Sequence, residues 1–171
     1  MLSWLRSVVR DQKLVSDQLP ASAWPGPRPG SSILFLDFDG VMHPAESGSF
    51  TNLPHLLRFL ESCPHVDLVL TTNWRINASR DQLLSHFPPS IHSRIVGVTP
   101  VLGDGVSERQ RECEAYLAGV HIRHAVALDD DASLFDTGST ILMLLDRYVG
   151  LDAAQATSLI YRLSSRPLQE A

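Results

Sequence analysis

Two carboxylates, Asp37 and Asp39, stand two residues apart at the end of an apolar run and directly before Gly40. In an extended segment, side chains two residues apart point to the same side, so both carboxylates can face one ligand. Gly40 permits a sharp exit of the chain and a close approach of its backbone to that ligand. Two further segments with hydroxyl, N–H or carboxylate groups follow apolar runs, namely Thr71-Thr72-Asn73 and Asp129-Asp130-Asp131.

Bringing these carboxylates together without a cation would be costly. Two unit charges about 4 Å apart repel each other by about 4 kcal/mol at an effective dielectric constant of about 20. Either the pKa values of the carboxyl groups rise strongly or a divalent ion fills the gap between them. Oxygen ligands without a nearby Cys or His cage favour Mg²⁺, which commonly takes few carboxylates together with water and a substrate phosphate. The sequence therefore predicts a magnesium site.

The elements that must position these side chains alternate along the chain between strand and helix patterns. Strands separated by helices imply right-handed crossovers and a parallel sheet with helices on both faces. We therefore predict a three-layer, Rossmann-like α/β fold with about five strands, whose ligands bind beyond the carboxyl ends of the strands. The predicted strands are Ile33–Phe38, Val66–Thr72, Arg94–Val98, Ala125–Leu128 and Ile141–Leu145. The predicted helices are Leu53–Leu60, Asn77–Phe87, a helix from an N-cap at Ser107 to about Ala118, and Ala153–Leu163.

Composition and charge narrow the class of protein. The chain has 171 residues, 44% of them hydrophobic, which suits a single folded domain of ordinary size. Its formal net charge is −5, so nucleic-acid binding would have to rest on a local arginine cluster rather than on bulk charge. Cys63 and Cys113 form neither a metal-type spacing nor a disulfide framework, which indicates reduced thiols and a cytoplasmic protein. No apolar run approaches the length of a membrane span, so we expect no membrane partner.

The first thirty residues differ from the rest of the chain. Apolar residues at helical spacing predict a short, weakly amphipathic helix within residues 1–20. The prolines and glycines from Pro20 to Gly30 predict a stiff linker that is neither helix nor central strand. We therefore predict a helix and linker over residues 1–30 and the folded domain over residues 31–171.

Several segments occur in the order of the motifs of a known enzyme superfamily. Phe35–Val41 resembles the first motif of the haloacid dehalogenase superfamily, in the form found in its phosphatase branch. Leu68–Asn73 resembles the second motif and Val126–Asp130 the fourth. Arg109 stands in the helix where the superfamily places the Lys or Arg of its third motif. The resemblance spans roughly Ser31 to Leu163 and keeps the order of the motifs.

A more specific resemblance is to a small subgroup of this superfamily that lacks a cap domain. Members of the subgroup occur alone and as a domain fused to RNA-repair proteins. The resemblance implies the haloacid-dehalogenase-like version of the predicted fold. The similar segments are Gly40–Pro44, Thr72–Arg75, Arg109–Glu112 and Gly150–Leu151.

The resemblance implies a phosphatase that works through an aspartyl-phosphate. Asp37 would be the nucleophile, since in-line placement and Mg²⁺ neutralisation let a carboxylate attack phosphorus. Asp39 would protonate the leaving oxygen and later deprotonate the water that hydrolyses the intermediate. Because the dehalogenases of the superfamily lack an acid at that position, Asp39 favours phosphoryl chemistry over carbon–halogen cleavage.

The resemblance also implies the groups that hold the phosphate and the metal. Thr72, Asn73 and Arg109 would contact the substrate phosphate, with Thr71 and Arg111 as weaker candidates. Mg²⁺ would be held by Asp37, Asp129 and Asp130 and by the backbone carbonyl of Asp39. Which of Arg109 and Arg111, and which of Asp129 and Asp130, makes the direct contact is left open.

The intervals between the motifs indicate an open site. Met42–Asp67 and Trp74–Ser107 are too short to house a cap domain. Without a lid, the substrate or its carrier must exclude water from the site. This favours a macromolecular phosphate, such as a nucleic-acid end or a phosphoprotein, over a small phosphomonoester.

Other interpretations of the same residues were weighed. The main alternative is a catalytically silent phosphate-binding or interaction module with the same fold, against which the intact pair Asp37 and Asp39 argues. A phospho-accepting response regulator needs a late strand-end lysine, whereas the only lysine, Lys13, precedes the fold. His43 reads as a loop histidine as readily as a substrate contact. Trp74 could stack a base, although packing against its own helix is the commoner role.

Overall fold

The computed structural model describes residues 24–45, 47–103 and 105–164. One parallel sheet of five strands has the order β3-β2-β1-β4-β5, with the first strand at its centre. Each strand is a short, largely apolar run, as expected for strands covered on both faces. The strands are β1 (Ser32–Leu36), β2 (Val66–Leu70), β3 (Ile95–Val98), β4 (Ala125–Asp129) and β5 (Leu142–Leu144).

The side chains of β1 alternate between two hydrophobic cores. Leu34 and Leu36 pack in a core with the first and last helices, whereas Ile33 and Phe35 pack in a second core with the third helix. The predicted three-layer α/β fold is thereby confirmed. The helices are α1 (Leu53–Ser62), α2 (Arg80–Leu84), α3 (Glu108–Leu117) and α4 (Ala153–Ser164). Short 3-10 segments cover Asn73–Ile76, Pro89–Arg94 and Ala132–Leu134.

Both cysteines are buried, and they lie in different cores. Cys63 belongs to the core beneath α1 and α4, and Cys113 belongs to the core beneath α3. The sheet therefore separates the two thiols. Among the described residues, no helix combines the length and the apolar character that a membrane crossing requires.

The predicted helix over Asn77–Phe87 is wrong at its start and too long. Asn77 is the C-cap of the preceding 3-10 turn, and α2 begins only after Ser79. Ser79 has extended backbone and accepts a hydrogen bond from the backbone N–H of Gln82, whose side chain accepts one from the N–H of Ser79. This reciprocal capping box fixes the helix start.

Ser107 precedes α3 as predicted, but its predicted capping role is wrong. Its φ is 53°, in the left-handed region, and its hydroxyl makes no capping hydrogen bond. An N-cap whose side-chain oxygen accepts a hydrogen bond from a backbone N–H of the helix has extended backbone instead. The hydroxyl of Ser107 therefore does not fix the start of α3.

The register of the sheet brings three polar segments to one edge. Leu36 of β1 pairs with Leu70 of β2 on one side and with Leu128 of β4 on the other. The segments that follow these residues therefore emerge side by side at the carboxyl ends of the strands. Among the described residues, the connections at this edge hold no second domain, so no cap covers it.

Residues 24–30, the described part of the predicted linker, pack on the sheet. Trp24 is buried in the core beneath α1 and α4, and the backbone N–H of Gly26 donates to the carbonyl of Val96. The Arg28 side chain donates from Nε to Oδ1 of Asp67 at 2.8 Å, and Asp67 is fully buried. The predicted helix within residues 1–20 lies outside the described residues, and the division at residue 31 stays a prediction.

We expect Arg28→Ala to lower the free energy of unfolding by about 2 kcal/mol, since charged hydrogen bonds to a buried carboxylate are lost. Arg94 would remain near Asp67, but its Nε lies 3.9 Å from Oδ1 and replaces the lost bonds poorly. Urea denaturation followed by circular dichroism measures the difference. Arg58→Ala, on the exposed side of α1, is the matched control. Equal stability of the two variants would show that Arg28 contributes nothing to the fold.

Candidate active site

Three carboxylates converge at the carboxyl end of the sheet. Asp37 directly follows β1, Asp129 ends β4, and Asp130 follows it. One carboxylate oxygen from each of these residues lies within 4.8 Å of the others. They line a cavity of about 330 Å³ whose other lining residues are Asp39, Ala45, Asn73, Arg109, Asp131, Leu134 and Arg147.

Gly40 is required for this convergence. Its φ is 70°, a conformation that side-chain-bearing residues rarely adopt. A Cβ atom at this position would lie 2.4 Å from Cγ of Asp130. The loop after β1 can therefore pass Asp130 closely only because residue 40 has no side chain.

Arg109 joins the acidic cluster from α3. Its Nη1 lies 3.4 Å from Oδ1 of Asp37 and 3.4 Å from Oδ2 of Asp129, and its Nη2 lies 3.5 Å from Oδ1 of Asn73. Arg111 instead donates to the backbone carbonyls of Val106 and Gly103. Of the two arginines considered from the sequence, the structure places Arg109 at the cluster and Arg111 away from it.

A buried ion pair contacts Arg109 and positions its guanidinium. Nη2 of Arg75 lies 2.5 Å from Oε2 of Glu112, and the same oxygen lies 3.6 Å from Nε of Arg109. Arg75 also donates to the backbone carbonyls of Thr72 and Thr99. The chain of contacts from Arg75 through Glu112 restricts the orientation of the Arg109 guanidinium.

Burial disfavours the ionised forms of the clustered carboxyl groups. Desolvation raises the pKa of Asp37, although the charge of Arg109 opposes the rise. Desolvation and the neighbouring charge of Asp37 together raise the pKa of Asp129 to about 7. Desolvation also raises the pKa of Asp130. One guanidinium at the centre therefore does not balance three carboxylates.

The chemistry of the donor set fits a hard divalent cation. All three side chains offer carboxylate oxygens, the ligand type that Mg²⁺ prefers, and their ligand atoms are close enough to share one ion. Burial opposes the charge of Arg109, but the carboxylates of Asp37 and Asp129 outweigh it and raise its pKa, so Arg109 stays protonated. Arg109 therefore leaves part of the negative charge of the three carboxylates unbalanced, and a divalent cation would offset it.

Asp39 lies beside the cluster and is held by a tryptophan. The side chain of Asp39 is 54% exposed. Its Oδ2 accepts a 2.9 Å hydrogen bond from the indole Nε1–H of Trp74, and its Oδ1 lies 3.5 Å from Nε2 of His43. Trp74 also packs edge-on against Phe38, so it combines a packing role with a contact to the site. His43 is fully buried and does not reach the cavity surface.

Of the two predicted phosphate contacts after β2, the structure brings one to the cavity. Asn73 is exposed and lines the cavity. Thr72 is fully buried, and its hydroxyl accepts a hydrogen bond from the backbone N–H of Trp74 at 3.3 Å. Thr72 therefore caps the 3-10 turn that carries Asn73 and Trp74, and it does not line the described cavity.

Sequence reasoning missed Arg147 and the lining role of Asp131. Arg147 follows β5, lines the cavity, and its Nε lies 3.8 Å from Oδ2 of Asp130. The rule that applied to β1, β2 and β4 also applies to the carboxyl end of β5 and would have found it. Asp131 accepts a hydrogen bond from the backbone N–H of Ser133 and thereby caps the 3-10 turn that follows it.

We expect Asp129→Asn to stabilise the metal-free protein increasingly as the pH rises. The folded protein holds the Asp129 proton up to about pH 7, whereas the unfolded chain releases it near pH 3.8, so ionisation costs stability across this range. Each pKa unit corresponds to about 1.4 kcal/mol. The melting temperature of the variant, relative to the unmodified protein in EDTA, should rise by at least about 2 °C between pH 5 and pH 8.

The matched control is Asp131→Asn. Hydrogen bonds from Ser133 lower the pKa of Asp131, so this variant should show no such gain at high pH. A constant difference in melting temperature between the unmodified protein and Asp129→Asn at all pH values would contradict the prediction.

Comparisons with known proteins agree with this geometry. A family model described as the HAD domain in Swiss Army Knife RNA repair proteins matches residues 33–156. The match covers well over half of the chain and includes all the strand ends that form the cavity. A comparison with curated proteins finds no match, and neither does a comparison with solved structures. With its sheet order and its acidic cluster at the carboxyl edge, the chain belongs to the haloacid dehalogenase (HAD) domains of the Swiss Army Knife RNA repair proteins.

Proposed function

We propose that this protein is a Mg²⁺-dependent phosphomonoester hydrolase that removes a phosphate from a nucleic-acid end through an aspartyl-phosphate. The observation that carries the proposal is the position of Asp37. Its carboxylate lies at the cavity wall, 3.4 Å from a buried guanidinium of Arg109, with the carboxylates of Asp129 and Asp130 beside it. Membership of an RNA-repair family supports the nucleic-acid substrate.

Asp37 acts as the nucleophile. A carboxylate oxygen forms a bond to phosphorus while the bond from phosphorus to the ester oxygen of the substrate breaks. Arg109 holds one carboxylate oxygen of Asp37 through Nη1, which limits rotation of the group and leaves the other oxygen for attack. The partial burial that disfavours solvation of this carboxylate also increases its reactivity toward an electrophile.

Asp37, Asp129, Asp130 and the backbone carbonyl of Asp39 would hold the metal. When bound, Mg²⁺ supplies positive charge that offsets repulsion between these carboxylates and the oxygens of the phosphate. Asp131 anchors the last turn of this loop through Ser133 and keeps its neighbours in place.

Asp39 acts as the general acid in the first step and as the general base in the second. Its exposed side chain reaches the cavity, where in its protonated form it donates a proton to the departing ester oxygen. The resulting carboxylate then removes a proton from the water that attacks the phosphorus of the aspartyl-phosphate, which frees Asp37 and releases inorganic phosphate. The indole N–H of Trp74 fixes one oxygen of Asp39 during both steps.

Asn73 and Arg109 bind the oxygens of the transferred phosphoryl group. Asn73 is exposed at the cavity wall on the turn that Thr72 caps, so its side-chain amide can donate to an incoming phosphate. The open edge of the sheet favours a phosphate at the end of a large molecule, which itself excludes water from the cavity.

Asp37→Asn should reduce the turnover of every substrate at least about 1,000-fold, because the amide is no nucleophile. Phosphate release is measured with Mg²⁺ and with EDTA, using RNA and DNA oligonucleotides phosphorylated at the 3′ or 5′ end, phosphopeptides, nucleotides and an aryl phosphate. We expect the oligonucleotides to be the best substrates. Preference for mononucleotides over both macromolecular classes would refute the argument from the open site.

The paired variants Arg109→Ala and Arg111→Ala control for changes of charge on α3. Arg109→Ala should lose most activity, whereas Arg111→Ala should stay within about twofold of the unmodified protein, since surface contacts contribute little. Absence of Mg²⁺-dependent turnover on the whole panel, with phosphate-terminated ligands still bound, would identify the protein as a silent phosphate-binding module instead.

Trp74→Phe should slow the formation of the aspartyl-phosphate only where the leaving group needs a proton. Phenylalanine keeps an aromatic ring against Phe38 but removes the N–H that holds Asp39. We expect hydrolysis of an alkyl phosphate to fall about tenfold, a fraction of the full effect of a general acid. The burst of nitrophenol released from nitrophenyl phosphate as the aspartyl-phosphate forms needs no proton on the leaving group, so its rate should change less than about twofold. An equal loss on both substrates would indicate a purely structural role for Trp74.

A further inference from the structure

We propose that Arg147 and Tyr148, on the turn after β5, hold the nucleotide that carries the phosphate. Tyr148 stacks on its base, and Arg147 contacts the phosphate as it enters the cavity. The inference rests on the proposed function, for which it names the residues that recognise the substrate.

The backbone of this turn is firmly held. The carbonyl of Arg147 accepts a 2.8 Å hydrogen bond from the N–H of Ala45, and the N–H of Tyr148 donates to Oδ1 of Asp146 at 2.8 Å. The turn closes at Gly150, whose φ is 71° and where a Cβ would lie 2.4 Å from the carbonyl oxygen of Val41. The turn from Asp146 to Gly150 is therefore a rigid platform that packs against the loop following β1.

The side chains on this rigid platform are exposed. Tyr148 is 74% exposed, and the side chain of Arg147 is 57% exposed. The Arg147 guanidinium lies 5.8 Å from the centre of the Tyr148 ring. An aromatic ring displayed in this way contributes little to the core, and an aromatic face beside an arginine is the arrangement on which nucleic-acid bases stack.

The charges around the cavity require a cation at its entrance. Among the residues that the structure describes, five carboxylates but only two guanidiniums line the cavity. Arg109 is buried and engaged by the carboxylates of Asp37 and Asp129. Arg147 is exposed, and its 3.8 Å approach to Asp130 is too long for a hydrogen bond. An anionic substrate therefore meets Arg147 first, and the base of the same nucleotide then lies within reach of the adjacent Tyr148.

A stacked base identifies a nucleotide rather than a phosphopeptide as the occupant. Stacking depends on the presence of a planar ring and tolerates any base. A terminal phosphate attached to an abasic sugar keeps the contact with Arg147 but loses the contact with Tyr148. The two contributions can therefore be separated by the choice of ligand.

The test uses a short phosphorylated RNA and the same RNA with an abasic terminal nucleotide. Fluorescence anisotropy measures the binding of each RNA, and phosphate release measures its turnover. Tyr148→Ala should raise Kd and KM for the intact RNA about tenfold, with kcat unchanged, whereas Tyr148→Phe should stay within about twofold of the unmodified protein. Binding of the abasic RNA should not respond to Tyr148→Ala. Tyr161→Ala is the matched control, because Tyr161 on α4 is 71% exposed and does not line the cavity.

Each outcome separates the inference from the proposed function. Binding that follows this pattern without release of phosphate would support the inference and refute the hydrolase. Turnover with unchanged RNA binding by Tyr148→Ala, or an equal loss on intact and abasic RNA, would overturn the inference and leave the hydrolase standing. If Tyr148→Ala weakened binding of a phosphopeptide, measured in the same way, and left RNA binding unchanged, the choice of a nucleotide would be overturned.

Discussion

Mutual repulsion among carboxylates at the carboxyl end of the sheet is the constraint around which this molecule is organised. Asp37 and Asp129 are neighbours because β1 and β4 pair in parallel register, with Leu36 beside Leu128. Two cores bury both strands, so the carboxyl groups that end them are partly removed from water and their ionised forms become costly. Arg109 balances part of this charge, and the rest creates the demand for a cation.

The ion pair that positions Arg109 is itself made of two buried charges. The guanidinium of Arg75 and the carboxylate of Glu112 are almost completely buried, and burial alone disfavours the charge of each. Their short contact, together with the backbone carbonyls around Arg75, compensates that cost. We infer that this ion pair keeps Arg109 positioned between Asp37 and Asp129 and contributes little to the free energy of unfolding.

The rim of the cavity differs in character from its floor. The floor is formed by buried groups such as Asp37 and Asp129, whose positions follow from strand register. The rim is formed by the exposed side chains of Asp39, Asn73 and Arg147, which lie on turns with firmly held backbones. Trp74 connects the core to the rim, since its ring packs against Phe38 and its N–H donates to Asp39. This division allows the chemical step and the recognition of a large substrate to be set by separate residues.

The sequence alone determined the layers of the fold and the acids at the strand ends, because apolar runs and a parallel sheet place those acids at one edge. It did not distinguish Arg109 from Arg111, since α3 is largely polar and shows little apolar periodicity. Tertiary packing made the choice: Cys113 and Tyr116, four and seven residues after Arg109, pack toward Phe35 and turn the Arg109 face to the sheet. The roles of Thr72 and Arg147 were likewise decided by the path of turns, which depends on contacts between distant segments.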